Sequence, residues 1–181
     1  ECVKDGKSAV RWIRKNAQKL GIDPKRLAAG GGSAGGHVAA ATGTVPGLEE
    51  EGEDASVSSK PNALVLFNPV YDNGPKGYGH DRVKDRWKEI SPMHNIRKGV
   101  PPAIVFLGDQ DKLIPVSTAE KFKALMEKAV SRSDLHVYED QPHGFFNQGK
   151  KGNYYEKTVL EMDKFLISLG WLKGKPTIKL P

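Results

Sequence analysis

A single serine stands among five glycines in residues 30–36, between a short apolar run and a run of helix-forming residues. The spacing Gly31-x-Ser33-x-Gly35 is typical of a sharp turn between a β-strand and an α-helix. Glycine is favoured at the flanking positions because a side chain there would clash with the tight backbone. The serine is then held at the tip of the turn with its hydroxyl exposed. This feature predicts a sheet whose strands alternate with helices, and it makes Ser33 a candidate nucleophile.

Two downstream residues could activate that serine. A serine hydroxyl becomes nucleophilic when a positioned base takes its proton, and the base needs an acid that orients it. Asp111 follows the apolar run 102–107, and His143 follows the alternating run 135–138. Each of the three residues therefore lies beyond the carboxyl end of a predicted strand, where open α/β sheets hold their reactive groups. The order serine, acid, base indicates nucleophilic catalysis.

Each of these residues also has an ordinary structural interpretation. Ser33 could be a helix N-cap, or could belong to a phosphate-cradling glycine turn, although no lysine follows at P-loop spacing. Asp109 competes with Asp111 for the role of acid, and could instead order the turn after the strand. His143 could be a loop histidine that hydrogen-bonds the backbone, but its Pro-His-Gly setting favours a ring held in place.

Residues 31–37, 108–115 and 141–145 together resemble motifs of the α/β-hydrolase esterase and lipase family, and most closely those of bacterial feruloyl and acetyl-xylan esterases. The likeness extends from about Asp5 to about Trp171. By this resemblance Ser33 is the nucleophile, Asp111 the acid and His143 the base. The resemblance also implies that the backbone N–H of Ala34 donates to the developing oxyanion. The chemistry implied in this way needs no metal or organic cofactor.

The family's second oxyanion donor comes from a His-Gly-Gly loop, and no such motif precedes Ser33. The strands that precede the nucleophile in the family are also absent. We therefore expect the C-terminal part of an α/β-hydrolase fold, a mostly parallel sheet of about four strands flanked by helices and lacking the N-terminal strands. We expect residues 1–181 to form a single α/β-hydrolase domain, or part of one. The strand near Leu27 would then be an unpaired edge, which predicts a homodimer or association with a missing N-terminal half.

Charge and composition narrow the classes of partner. The 28 basic and 22 acidic residues give a formal net charge of +6, but the lysines are dispersed and often lie beside acidic residues. This pattern is typical of a solvated mixed surface rather than a nucleic-acid-binding face. No apolar run approaches the roughly 18–20 residues of a membrane helix, and the single cysteine excludes an intrachain disulfide. We expect small-molecule or carbohydrate ester substrates, with neither nucleic acid nor membrane as partner; the cellular compartment is not indicated.

Two segments before the second strand are predicted as follows. The first helix begins at Asp5 as N-cap and ends at Gly21. Apolar residues recur at helical spacing along it and are expected to face inward, at Val10, Ile13, Ala17 and Leu20. Residues 46–60 carry crowded carboxylates without the spacing of a calcium loop, which favours a solvated loop over a metal site. Residues 62–67 are predicted to form the next buried strand.

The longest irregular stretch, residues 68–96, leaves the edge of the sheet where the reactive groups are predicted. Long loops of this kind inside a compact domain are usually functional or mobile. Tyr71, Tyr78 and Trp87 are therefore candidates to line an acyl or sugar pocket, although these aromatic side chains could only pin the loop. His37, four residues after Ser33, is expected to be a packing or capping side chain.

Three functions are compatible with the sequence. The first is hydrolysis of carboxylic esters, of small acyl groups or of acyl groups linked to carbohydrate, through Ser33, Asp111 and His143. The second is a serine peptidase of the prolyl-oligopeptidase type, which shares the fold and the order of the three residues. Those peptidases typically carry an aromatic residue after the nucleophile, where this chain has Ala34. The third is a truncated, non-catalytic half-domain that assembles with another chain.

Overall fold

The structure, a computed structural model, describes residues 1–180, along which helices and strands alternate. The strands are β1 (Ala28–Gly32), β2 (Ala63–Phe67), β3 (Ala103–Gly108) and β4 (Ser133–Tyr138). The helices are α1 (Cys2–Lys15), α2 (Ala17–Leu20), α3 (Ala34–Thr44), α4 (His80–Val83), α5 (Trp87–Ile90), α6 (Val116–Lys128) and α7 (Tyr154–Ser168), with 3-10 turns at Lys84–Arg86 and Pro92–Asn95.

The four strands form one sheet in the order β1-β2-β3-β4, and every pairing among residues 1–180 is parallel. In the register of the sheet, Val65 lies between Gly30 of β1 and Ile104 of β3. Parallel neighbours need long crossovers, which α3, the segment 68–96 and α6 provide. The expected fold class, about four mostly parallel strands flanked by helices, is confirmed.

The central strands are apolar throughout because helices cover both faces of the sheet. Leu64 and Leu66 of β2 point to a core shared with α3 and α6. The alternate residue Val65 points to a second core, which Phe165 of α7 closes from the other side. Because successive side chains of a strand point to opposite faces of the sheet, the residues of one apolar strand pack alternately into the two cores. This packing fixes the carboxyl ends of β1, β2 and β3 along one edge.

The first helix departs from the sequence prediction. α1 begins at Cys2 with Glu1 at the N-cap position, so the prediction that Asp5 caps the helix is wrong. The predicted single helix is interrupted at Asn16, since α1 ends at Lys15 and the left-handed Gly21 ends the separate short helix α2. The apolar face was only partly identified, since Ala17 is buried whereas Leu20 is exposed. The buried positions of α1 itself are Val3, Lys7 and Arg11.

Two buried cations of α1 hold the acidic loop 46–60 against the helix. Lys7 Nζ donates to Glu49 Oε1 at 2.8 Å and to the carbonyl of Gly47. Arg11 donates to Glu49 Oε2 at 2.6 Å and also pairs with Glu53. Most of the loop is exposed, as predicted, but these carboxylates compensate the burial of the two cations. Their crowding along the sequence therefore has a structural cause.

Strand β1 pairs with β2 on one side, and no strand among residues 1–180 pairs with its other side. Its residues Ala28 and Gly30 are exposed. The predicted unpaired edge is therefore present in the part of the chain that the structure describes. None of the described helices combines the length and apolarity required to cross a membrane.

Candidate active site

Ser33 lies at a strained turn between β1 and α3. Its backbone has φ 55° and ψ −117°, a conformation that residues other than glycine rarely adopt. Its N–H donates to Phe67 O at 3.0 Å, and its carbonyl accepts from Val70 N–H at 3.2 Å. Both bonds join the turn to the end of β2, so the sheet itself maintains the strain. Strain of this kind concentrates at functional sites.

Two glycines, one of them at a position that was not predicted, make the turn possible. A Cβ atom on Gly31 would lie 2.6 Å from the carbonyl carbon of Gly35, which is too close for any side chain. A Cβ atom on Gly36 would lie 2.9 Å from Gly31 O and the same distance from Pro69 Cβ. Gly35 has open space around it, so the prediction that a side chain there would clash is wrong. The two positions at which the turn requires glycine are therefore Gly31 and Gly36.

The backbone N–H of Ala34 is available for a ligand. Ala34 is the first residue of α3, and the first N–H groups of a helix have no partner inside it. Among the backbone hydrogen bonds that residues 1–180 form outside their helices and strands, none has the Ala34 N–H as its donor. The N–H also lies at the positive end of an 11-residue helix. An oxygen that gains negative charge next to Ser33 would be stabilised at this position.

Asp111 and His143 are hydrogen-bonded, as the sequence predicted. Asp111 Oδ2 lies 2.7 Å from His143 Nδ1. The other carboxylate oxygen accepts the N–H groups of Leu113 at 2.8 Å and Ile114 at 3.0 Å. The Asp111 side chain is fully buried, so these donors replace water. Asp109, the competing acid, is exposed on the same turn.

The end of β3 holds the loop that carries His143. Gln110 N–H donates to Gln141 O at 3.0 Å. Gly108 closes the contact, because a Cβ atom there would overlap the same carbonyl oxygen. The histidine loop therefore lies directly over the turn that carries Asp111.

Asn68 is a site residue that the sequence analysis missed. It follows β2 directly, and it is 1% exposed. Its Oδ1 accepts the N–H of Gly144 at 2.8 Å, and its Nδ2 lies 3.3 Å from His143 Nε2. Its position in the sequence could have identified it, because it directly follows a buried strand at the edge of the sheet where Ser33 and Asp111 lie.

Ser33 lies beside this group without being bonded to it. No hydrogen bond joins Ser33 Oγ to His143 in the part of the chain that the structure describes. Both residues nevertheless contact the end of β2, Ser33 through the backbone of Phe67 and His143 through the side chain of Asn68. Such bonds are often long or absent before substrate binds.

The three aromatic candidates occupy different environments. Tyr71 is fully buried and its ring stacks on Phe122 with centroids 4.6 Å apart, so the prediction that it lines a pocket is wrong. Burial, and then the charge of Asp111, raise the pKa of its hydroxyl. Trp87 packs edge-on against His94, with ring centroids 4.6 Å apart. Tyr78 is 38% exposed and borders a cavity.

That cavity measures about 550 Å³ and lies beside the turn after β1. Its lining includes Ala34, Val38, Val70, Tyr78 and Arg82. Arg82 also lies over the Tyr78 ring, with its guanidinium carbon 5.7 Å from the centroid. His37 is half-buried in the same lining and hydrogen-bonds Ile90 O at 3.1 Å, and burial lowers its pKa. Its predicted packing role is confirmed.

Residues 1–180 contain no group of three or more His, Cys, Asp or Glu side chains arranged to hold a metal ion. At the edge of the sheet, His143 is instead hydrogen-bonded to Asp111 through Nδ1 and contacts Asn68 through Nε2. The arrangement suits transfer of a proton between neighbours.

Comparison with known proteins agrees with this geometry. The profile of the dienelactone hydrolase family matches residues 60–171, and the BD-FAE profile matches residues 1–73. The apo structure of esterase 2 from Thermogutta terrifontis superposes with a TM-score of 0.91 and 45% sequence identity, over 97% of this chain and 67% of that one. The chain belongs to the α/β-hydrolase esterase family. The family resemblance seen in the sequence is thereby confirmed.

Curated esterases are similar over part of their length. Esterase LipC of Mycobacterium tuberculosis is 30% identical over 79% of this chain and 40% of its own. The acetylxylan esterase of Xylanibacter ruminicola is 27% identical over 98% of this chain and 36% of its own. The chain thus spans well under half the length of these two α/β-hydrolase esterases.

Proposed function

We propose that this protein hydrolyses carboxylic esters, with Ser33 as nucleophile, His143 as base and Asp111 as the acid that orients the base. One observation carries the proposal. The buried carboxylate of Asp111 is hydrogen-bonded to His143, which contacts Asn68 at the end of β2. Ser33, in a strained strand-to-helix turn, is hydrogen-bonded to the end of the same strand. Membership of the esterase family supports the same function.

The proposed reaction has two halves. His143 Nε2 takes the proton of Ser33 Oγ as that oxygen attacks the carbonyl carbon of the ester, and Asp111 stabilises the resulting imidazolium. The carbonyl oxygen becomes an oxyanion, to which Ala34 N–H donates. The intermediate collapses when His143 returns the proton to the departing alcohol. Water then repeats the sequence on the acyl-serine, releasing the acid and restoring Ser33.

We propose small acyl groups, free or linked to carbohydrate, as the substrate class. The cavity of about 550 Å³ begins at Ala34, so it is placed to receive a group attached to the reacting carbonyl. Esterase 2 of T. terrifontis has been solved with propionate and with butyrate bound. The acetylxylan esterase relative supports a carbohydrate-linked acetyl group.

The test is hydrolysis of p-nitrophenyl acetate and butyrate, together with labelling by a fluorophosphonate probe. We expect turnover of both esters and a label on Ser33, located by mass spectrometry. Ser33→Ala should reduce the rate at least about a thousandfold. Ser117→Ala, at an exposed position of α6, is the matched control and should leave the rate unchanged.

Two results would contradict the proposal. Turnover that survives Ser33→Ala would require another nucleophile. Absence of both turnover and label would favour the non-catalytic alternative. Preferential cleavage of dipeptide anilides would instead favour a serine peptidase.

A further inference from the structure

We propose that Asn68 is a positioning residue for His143, holding the imidazole in the tautomer whose Nε2 carries no hydrogen and can therefore accept the serine proton during turnover. The inference rests on the proposed function for its catalytic meaning. Its structural content is independent of that function, because it concerns which ring nitrogen carries hydrogen. Asn68 follows β2, and β2 lies in the sheet between β1, which leads to Ser33, and β3, which leads to Asp111.

A neighbouring backbone group fixes the orientation of the Asn68 amide. Gly144 N–H can only donate, and it lies 2.8 Å from Oδ1. The other end of the amide, Nδ2, therefore faces His143 Nε2 at 3.3 Å, and it too can only donate. Hence Nε2 must accept, with its lone pair directed at Asn68.

Asp111 requires the same tautomer from the other side of the ring. Its carboxylate oxygen accepts at 2.7 Å, so the neutral ring must carry its hydrogen on Nδ1. Asn68 and Asp111 thus hold the two nitrogens in opposite roles. A ring rotated by half a turn would place a carbon at each contact and lose both bonds.

Asn68 is itself held rigidly. Its N–H donates to Phe106 O at 2.7 Å, and it lies in the left-handed region at φ 33°. Asparagine tolerates that region better than most residues with a side chain. With 1% of its surface exposed, its amide has no water to exchange with. The strand end therefore places the amide, and the amide places the ring.

This contact opposes premature protonation of the base. A protonated Nε2 would direct its hydrogen at the Nδ2 donor, which is repulsive. Lys150 and Lys151 line the same surface depression as His143, and Asp111 contacts the other ring nitrogen. Substrate binding must exchange the Asn68 donor for Ser33 O–H before proton transfer. Asn68 thus occupies the Nε2 lone pair in the resting site and gives way during turnover.

Asn68→Asp separates this role from simple bracing of the loop. The carboxylate can still accept Gly144 N–H, but it turns an acceptor toward Nε2 and so favours the imidazolium. We expect the titration midpoint of the His143 ring, followed by ¹⁵N NMR, to rise by about 1 to 3 pH units. The acidic limb of kcat/KM should move upward with it. Gln148→Glu, which adds the same charge at an exposed position of the same loop, is the control and should shift the midpoint much less.

The wild-type protein gives a second test that needs no variant. In its neutral form, the ¹⁵N shifts of His143 should show hydrogen on Nδ1 and a bare Nε2. Hydrogen on Nε2, or an Asn68→Asp midpoint equal to that of the Gln148→Glu control, would overturn the inference. The expected NMR result in a protein that hydrolyses no ester would uphold the positioning role while refuting the proposed function. An esterase without the NMR result would do the reverse.

Discussion

Asp111 uses its two carboxylate oxygens differently, and His143 binds the one that the backbone leaves free. Oδ1 accepts two backbone N–H groups of its own turn, while Oδ2 accepts from the histidine at 2.7 Å. The first pair of bonds locks the carboxylate plane, and the locked plane directs Oδ2 at the ring. The backbone of its own turn therefore helps to orient Asp111 toward the ring.

Asp111→Asn should lower kcat by about three to four orders of magnitude. The amide oxygen can keep the two backbone bonds, so the –NH₂ group must face His143 Nδ1. That donor favours the tautomer with hydrogen on Nε2, which cannot accept the serine proton. Steady-state kinetics measure the loss, and circular dichroism should show an unchanged fold. A loss of less than tenfold would mean that Asp111 only orders its turn.

Ser33→Gly should stabilise the protein relative to Ser33→Ala, by about 1 kcal/mol. Glycine adopts φ 55°, ψ −117° without the strain that any Cβ atom brings, although it loses more backbone entropy on folding. Both variants lack the nucleophile, so the comparison isolates the turn. Urea unfolding gives the two free energies. An alanine variant as stable as the glycine variant would show that the turn stores no strain.

Tyr78→Ala should raise KM for p-nitrophenyl butyrate by roughly fivefold, which corresponds to about 1 kcal/mol of lost contact. The ring borders the cavity beside Ala34, whereas Trp87 does not. Trp87→Ala is therefore the matched control, and its KM should stay near that of the wild type. If the two variants behaved alike, the cavity would not be the acyl pocket.

Glu49 should make the contact between α1 and loop 46–60 sensitive to acid. Burial alone would raise the pKa of Glu49, but hydrogen bonds from Lys7, Arg11 and Ser59 hold it below its ordinary value of 4.5. A carboxylate whose pKa is lower in the folded state stabilises the fold fully above pH 4.5. That stabilisation disappears as the pH falls through the lower, folded-state value.

The variant Glu49→Gln tests this contact. It should lower the free energy of unfolding at pH 7 by about 1 to 2 kcal/mol, a modest value because the carboxylate is partly exposed. The difference from the wild type should shrink below pH 4, as measured by urea unfolding at both pH values. Glu51→Gln, at an exposed position of the same loop, should have little effect at either pH. A constant difference across pH would assign the loss to packing.

We propose that the free edge of β1 pairs with a second copy of this chain, or with a further segment of the protein. An open edge presents unpaired N–H and C=O groups that favour such pairing. Analytical ultracentrifugation of the chain should show a dimer, and Ala28→Lys on the exposed edge should weaken it. Ala55→Lys, on the exposed loop, is the control. A monomer at all concentrations would refute self-pairing through this edge.

Local sequence chemistry was enough to single out the candidate site residues. Gly31 and Ser33 define their turn through steric limits that act over a few residues, and those limits are visible in the sequence. The buried strands were predicted for a similar reason, since an unbroken apolar run such as 62–67 suits a strand covered on both faces. The family motifs then assigned Asp111 rather than Asp109, and the structure brings Asp111 to His143.

Contacts between segments that are distant in the sequence could not be predicted in this way. Lys7 and Arg11 are polar in sequence, and only the approach of Glu49 and Glu53, some forty residues away, makes their burial favourable. Tyr71 looked like a pocket residue because its segment is irregular, yet the ring enters the core where Phe122 offers a stacking surface.

The sequence by itself was enough to predict the four strands and to single out Ser33, Asp111 and His143 as candidates, because turn sterics and apolar periodicity depend on near neighbours. The tertiary structure alone decided which polar groups face one another. Asn68 shows the reason: its amide acquires a role only because the register of β2 brings it within reach of Gly144 and His143, more than seventy residues later. Pairings of that kind depend on how strands align in space, which no short stretch of residues encodes.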